Sequence, residues 1–176
     1  MNEHVTEGIV LHVRNDRESD RSIDILTRRL GRLDVKVTGG RKPLSKLSPH
    51  LDVLSFVRLR LVEKNRFTVV DALGMGKLPG LASPETMAHA LIAVNLLRSL
   101  LPKGAPDPEI WHYLVQGLRS GSWRTKDILR ILGYAPGEAT CVMCGRRNVT
   151  AFNLKSHDFF CAECAAKAPQ KEMVYL

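Results

Sequence analysis

Cys141-Val142-Met143-Cys144 and Cys161-Ala162-Glu163-Cys164 form two C-x2-C pairs separated by 16 residues, and they hold all four cysteines of the chain. A C-x2-C turn brings two thiolates to one point while backbone N–H groups face the sulfur charge. Two such turns complete a tetrahedral four-sulfur shell, which suits Zn2+. With four protein ligands no coordination position stays open, so Cys141, Cys144, Cys161 and Cys164 are expected to hold a structural ion. Its binding free energy, of order 10 kcal/mol, would fold a segment with too little core of its own. Gly145 suits the tight knuckle, and Arg146, Arg147 and Lys155 offset part of the cluster's negative charge. A redox dithiol, an iron–sulfur cluster, or His157 replacing one cysteine are the competing readings.

No apolar run reaches the roughly 18 residues of a membrane span, and the start Met1-Asn2-Glu3-His4 is unlike a secretory leader. A cytoplasmic protein with reduced thiols is expected, which favours metal ligation over disulfides. Enzyme signatures are missing. A zinc deaminase needs H-x-E and P-C-x-x-C, but Thr140 and Phe160 precede the two knuckles and no His is followed two residues later by Glu. There is no phosphate-binding G-x-x-x-x-G-K-[ST], no G-x-S-x-G and no H-E-x-x-H. The chain is expected not to be an enzyme.

Residues 1–78 read as a strand-rich domain. Ile9, Leu11 and Val13 alternate with Val10, His12 and Arg14; Ile23 and Ile25 flank Asp24. Leu33, Val35 and Val37 alternate with Asp34, Lys36 and Thr38; Val57, Leu59 and Leu61 alternate with Arg58 and Arg60; Phe67 and Val69 begin a fifth run. Period-two alternation puts one set on a core face and the other toward solvent. Five short strands without an intervening long helix predict a small antiparallel barrel or sandwich. The stretch Gly74-Met75-Gly76-Lys77-Leu78-Pro79-Gly80 reads as a linker or hinge. Residues 79–176 then read as a helical domain with the zinc element at 141–164. Ser83-Pro84-Glu85 and Asp107-Pro108-Glu109 are helix starts, and a third helix runs from about Thr125 to Leu132 before Gly133. Met87, Leu91, Val94, Leu97 and Leu101 are expected to form the buried stripe of the first helix; Ile110, Trp111, Leu114, Val115 and Leu118 that of the second. The fold class is therefore α+β.

The net charge is +8 and the pI about 9.6, which points to a polyanionic partner, nucleic acid ahead of membrane. Ten Lys and Arg lie between residues 14 and 46 against five acids. Asp16, Glu18, Asp20 and Asp24 interleave with Arg14, Arg17, Arg21 and Arg28, which reads as a solvated, salt-bridged surface and not a metal cluster. Arg32 and Lys36 share a solvent-facing parity, with Arg41, Lys42 and Lys46 on the loop beyond. With Arg21 and Arg29, these form the expected phosphate-tracking surface. The first 80 residues contain only Phe56 and Phe67 as aromatics, so binding should be electrostatic and sequence-indifferent. An RNA- or ribosome-associated zinc protein and a protein-interaction adaptor are the alternatives.

Gly8-Ile9-Val10-Leu11, Arg14, Glu18-Ser19-Asp20, Leu26-Thr27, Leu30-Gly31-Arg32 and Gly40-Arg41-Lys42-Pro43, followed by Ile131-Leu132-Gly133-Tyr134-Ala135-Pro136 before the first knuckle, resemble the RecO family of bacterial recombination mediators. The resemblance covers residues 5–70 and 125–165. It implies an oligonucleotide-binding (OB) barrel and a helical domain with a zinc element. It implies binding of single- and double-stranded DNA, annealing of complementary strands, and partnership with RecR. Contact with single-stranded DNA-binding protein (SSB) and help in loading RecA in gap repair are implied too. Twelve residues follow Cys164, where the family usually carries further helices.

Overall fold

The computed structural model describes residues 2–16, 19–42, 45–76 and 78–176. Arg17, Glu18, Pro43 and Lys77, each part of a motif read above, lie outside the described residues. Five strands make a closed barrel in the order β1-β2-β3-β5-β4. They are β1 (Asn2–Asn15), β2 (Arg21–Thr27), β3 (Gly31–Val37), β4 (Phe56–Glu63) and β5 (Phe67–Gly74). The N-terminal half of β1 pairs with β4, from Asn2↔Glu63 to Ile9↔Phe56, and its C-terminal half pairs with β2, from Gly8↔Thr27 to Asn15↔Arg21. A register shift between Val10 and His12 bends the strand.

The barrel is not wholly antiparallel, as the alternation alone had led us to expect. The loop 38–55 carries the chain from β3 to the far side of the barrel, where β4 pairs with β1. The hairpin partner β5 then returns beside β3 in parallel, through Val35↔Phe67 and Lys36↔Thr68. Period-two patterning reports faces, not strand direction.

The interior holds Val10, Ile23, Ile25, Val35, Val57 and Leu59 among others. The alternation in the middle of β1 misleads, because Ile9, Val10 and Leu11 are all buried. Val10 points into the barrel, while Ile9 and Leu11 join Leu26, Leu54 and Phe56 in a second core shared with the helices. Those helices are α1 (Pro84–Leu100), α2 (Pro108–Ser120) and α3 (Thr125–Ile131). Ser83 and Thr86 cap α1 reciprocally, and Asp107 accepts the Glu109 and Ile110 N–H groups at the start of α2.

The buried face of α1 is rotated from the expected stripe. Met87 and Leu91 are exposed, and Ala90, Ala93, Val94, Leu96 and Leu97 are buried. The two alanines allow close packing that their small side chains hide from a hydrophobic pattern. The expected hinge is also partly packed. Residues Pro79–Leu81 form a 3-10 turn, and a Cβ on buried Gly80 would lie 2.4 Å from the Gly117 carbonyl oxygen of α2.

A three-stranded sheet, unseen in the pattern, follows: β6 (Ala151–Asn153) lies between β7 (Phe159–Phe160) and β8 (Met173–Tyr175). The short helix α4 (Ala162–Lys167) lies between β7 and β8 in sequence. Phe152, fully buried, belongs to the same core as Ile9 and Trp111, so the third unit is not a detached appendage. Among the described residues no helix is long and apolar enough to cross a membrane.

Candidate metal centre and nucleic-acid interface

The first knuckle is closed by backbone hydrogen bonds. Cys141 N–H donates to the Arg146 carbonyl at 2.8 Å, and Gly145 N–H donates to Cys141 at 2.8 Å. Gly145 has φ +73°, a left-handed conformation that glycine adopts without a Cβ penalty. Val142 N–H donates to Phe159, which ties this knuckle to β7. The second knuckle opens α4, with Cys161 as its N-cap. The sulfurs of Cys141, Cys144, Cys161 and Cys164 all lie within 4.8 Å of one another, and Cys144 and Cys161 are 3.6 Å apart. A tetrahedron with metal–sulfur bonds near 2.3 Å has an edge of about 3.8 Å. The donor set and its spacing therefore fit a four-thiolate metal site.

Backbone N–H groups, that of Cys161 foremost, hold the Cys141 thiol down at about 6. Burial, followed by the neighbouring thiols, pushes Cys164 up to about 12. Cys141 ionises readily, while burial and the neighbouring thiols make Cys164 resist; a bound dication would favour the thiolate at both. Arg146 and Glu163 pair across the two knuckles at 2.7 Å. His157 is not a member of the cluster. Its Nδ1 lies 2.9 Å from the Tyr134 hydroxyl, and its ring stacks on Phe152.

The basic residues divide between the two ends of the barrel. At one end the β1–β2 turn, the β3–β4 loop and the β4–β5 hairpin converge. Arg41 N–H donates to the Ser19 carbonyl at 3.0 Å, and Gly39 N–H to Asp20 Oδ1 at 2.8 Å. A cleft of about 690 Å3 is lined by Asp16, Asp20, Lys36 and Arg66. Arg41, Lys42 and Lys46 are exposed, and Arg21 is half-buried at the start of β2. Lys36 is held by Asp20 at 2.7 Å. That contact and the Gly39 N–H hold the Asp20 carboxyl below its ordinary value. Arg66, which the sequence reading passed over, reaches Ser22 from the β4–β5 hairpin at 3.3 Å. Lys64-Asn65-Arg66 between two apolar runs was the available signal: two cations at a hairpin tip.

Two of the expected phosphate contacts lie elsewhere. Arg29 sits on the β2–β3 turn, the seven-residue length of β2 from Arg21, or roughly 20 Å. Arg32 faces the helices. Its Nε and Nη2 donate to both oxygens of Asp24 at 2.9 and 2.6 Å, and its Nη1 donates to the Leu101 carbonyl at 2.6 Å, just past the end of α1. The side chains of Arg32 and Asp24 are only 11% and 14% exposed. Strand parity predicted solvent for Arg32, but α1 covers that side of β3. Asp24 is correspondingly not part of a solvated surface. Its other nearby cation is Arg98 of α1, at 3.9 Å. Phe56, ambiguous in sequence, is buried edge-on to Trp111.

A family profile described as "Recombination protein O N terminal" matches residues 1–73, the barrel. Most of the chain is also similar to proteins named DNA repair protein RecO. That of Syntrophobacter fumaroxidans is 28% identical over 155 residues, covering 80% of this chain and 61% of the relative. That of Bacillus pumilus is 25% identical over 187 residues, covering 94% and 70%. That of Desulforudis audaxviator is 29% identical over 182 residues, covering 96% and 73%. The barrel thus matches the RecO N-terminal profile, and most of the chain is similar to RecO proteins at 25–29% identity. The match begins in the barrel and runs on through the helices, and it spans about three fifths of the first of these relatives. The barrel is closed and OB-like, and it is followed by helices and the four-cysteine cluster.

Proposed function

We propose that the chain is a cytoplasmic, non-enzymatic DNA-binding recombination mediator. It binds single- and double-stranded DNA, anneals complementary strands, and acts with RecR, with contacts to SSB, in loading RecA at gaps. The observation that carries the DNA-binding reading is the convergence of three loops at one end of the barrel. There Arg21, Arg41, Lys42, Lys46 and Arg66 have no carboxylate partner among the described residues. Lys36 supports the cleft beside them, and Asp20, which it pairs with, accepts Gly39 N–H at the root of the basic loop.

Such a surface works by displacing counterions from phosphates, which needs no nucleotide and reads no base. Two strands neutralised side by side repel one another less, and pairing then supplies the free energy of annealing. No exposed aromatic accompanies the cluster, since Phe67 is half-buried against His4. Stacking therefore contributes little. Zn2+ held by Cys141, Cys144, Cys161 and Cys164 would supply structure and no chemistry, because four protein sulfurs leave no position for a substrate.

The test is single-strand DNA binding and annealing by the whole chain across a salt series, without ATP. With about five phosphates neutralised, log affinity should fall with log salt at a slope near −3.5. Annealing with that slope supports the mediator reading. Tighter binding of RNA of the same sequence, or no binding even at low salt, would overturn it in favour of an RNA-associated protein or an adaptor.

A further inference from the structure

The barrel is closed, yet one stretch of β1 is bare on one side. Asn2–Glu7 pairs with β4, but β2 joins β1 only from Gly8 onward. The direction of each peptide follows from its neighbours. Val10 exchanges hydrogen bonds with residues before β4, Leu54 N–H and the Ser55 carbonyl, so even-numbered residues face β4. The Glu7 carbonyl accepts Arg28 N–H from the β2–β3 turn, so odd-numbered residues face away. By this alternation Glu3 and Val5 direct both N–H and C=O outward, and neither has a backbone partner there among the described residues. Beside this edge lie clefts of about 420 and 240 Å3, both lined by Val5, Thr6 and Arg29. Glu7, Arg28 and Arg58 complete the larger one, and Val5 is 54% exposed.

We propose that this edge docks an extended, acidic segment of a partner protein, which adds as a strand beside Glu3–Glu7. Three observations select that occupant. The edge offers donors and acceptors alternately at strand spacing, which matches another peptide backbone. A phosphodiester only accepts, so the outward carbonyls of Glu3 and Val5 would repel it. The charge decides the side chains: Arg28 pairs with Glu7 at 3.4 Å and Arg60 with Glu3 at 3.4 Å, while Arg29 and Arg58 have no carboxylate partner among the described residues. A second copy of this chain would bring the same arginines and a net charge of +8 to the edge, so self-pairing is disfavoured. Val5 supplies one apolar contact, for the residue of the incoming strand that lies beside it on the same face. Glu3-His4-Val5-Thr6-Glu7 carries no lysine, proline or bulge, and its two charges, Glu3 and Glu7, are each paired with an arginine.

The probe is a fluorescein-labelled octapeptide of alternating Asp and Val, titrated into the whole chain. Amide hydrogen exchange at Glu3 and Val5 is read in parallel. Binding is expected to slow exchange at these two amides by at least about tenfold. N-methylation of alternate peptide amides, in the frame that faces the edge, is expected to weaken affinity about tenfold. Val5→Pro deletes one outward donor without touching a barrel hydrogen bond, and it is expected to give a similar loss. The N-methylated peptide keeps the question answerable should that variant not fold. Equal affinity for the N-methylated peptide, unchanged exchange at Glu3 and Val5 in the complex, or displacement of the peptide from this edge by single-stranded DNA would overturn the proposal. Loss of DNA binding on changing Arg41 and Lys42, with peptide binding intact, would keep this surface separate from the nucleic-acid one.

Discussion

Replacing Arg32 separates a structural role from a phosphate contact. The guanidinium closes both oxygens of Asp24 and reaches the Leu101 carbonyl beyond α1, at a site where both side chains are nearly buried. Arg32→Ala leaves a carboxylate with little access to water. Losing one partner of a buried pair costs about 3–5 kcal/mol. Arg98 remains 3.9 Å from Asp24 and compensates in part, which puts the expected loss near the lower end. The lost contact to the helix C-terminus adds about 0.3–1 kcal/mol. A total of about 3.5 kcal/mol corresponds to a fall in Tm of roughly 10 °C for a chain of this size. The assay is urea unfolding followed by the fluorescence of Trp111, which is buried at the same interface.

Two companion variants sharpen the test. Arg32→Lys should recover less than half of the loss, because one ammonium cannot span a carboxylate and a carbonyl on opposite sides. Removing both charges with Arg32→Met and Asp24→Leu should recover most of the loss but not all of it, since Arg98, a third exposed, then loses its carboxylate neighbour. At temperatures where the variants are folded, single-strand DNA affinity should be unchanged. Arg32→Ala with parental stability and weakened DNA binding would refute the argument and restore Arg32 to the phosphate surface.

Arg41→Ala combined with Lys42→Ala should flatten the salt slope from about −3.5 to about −2.1 for every sequence tested, as read by fluorescence anisotropy; an unchanged slope removes the loop from the site. Metal analysis should find one Zn2+ per chain, lost in Cys161→Ser. Chelation should lower the unfolding midpoint of the whole chain and not only release residues after 141; Trp111 fluorescence against urea is the check. Lys36 and the Gly39 N–H hold Asp20 below its ordinary value of 3.8, so folding releases a proton there. The contribution to stability is then complete above about pH 4 and fades as pH falls through the folded-state value. Protection of the Gly39 amide, taken against its intrinsic exchange rate at each pH, should fall on that acid limb, and Asp20→Asn should abolish the dependence. Gly39 protection indifferent to pH would rule the tether out.

The parts legible in the sequence were those decided locally. Ser83 and Asp107 announced two helices because their caps act within three residues. The cysteine spacing announced the cluster for the same reason. Parity within β2, β3 and β4 named most of the barrel interior. What escaped depends on partners distant in sequence. The parallel closure of β3 on β5 leaves no mark on either strand's pattern. The strands β6, β7 and β8 span two or three residues each, too short to show a period. Arg32 and Lys36 look equivalent on one strand, yet Arg32 meets α1 and Lys36 meets the β1–β2 turn. Charge counts could not separate them, because burial and the position of Asp20 and Asp24 determine which cation is left for a ligand.

The same separation would let a small chain hold a mobile polyanion, as proposed, without losing its shape. One end of β2 and β3 is anchored: Arg32 is tied to Asp24 and Leu101, Gly104 N–H donates to Arg32, and Phe56 packs on Trp111. The core there continues from Ile9 and Leu11 through α1 and α2 to Phe152 in the four-cysteine unit. Phe152 in turn packs on Tyr134 and Phe159, each with ring centroids 4.9 Å away. Folding free energy from a metal held by the cysteines would thus reach the barrel through apolar contacts, far from the basic loops. At the other end Arg41, Lys42 and Lys46 project from a loop that is held mainly at its root, by Asp20 and Ser19. Cations that must follow an irregular backbone are best placed on such a loop, and the rigid end supplies the stability that a repulsive cluster of like charges subtracts.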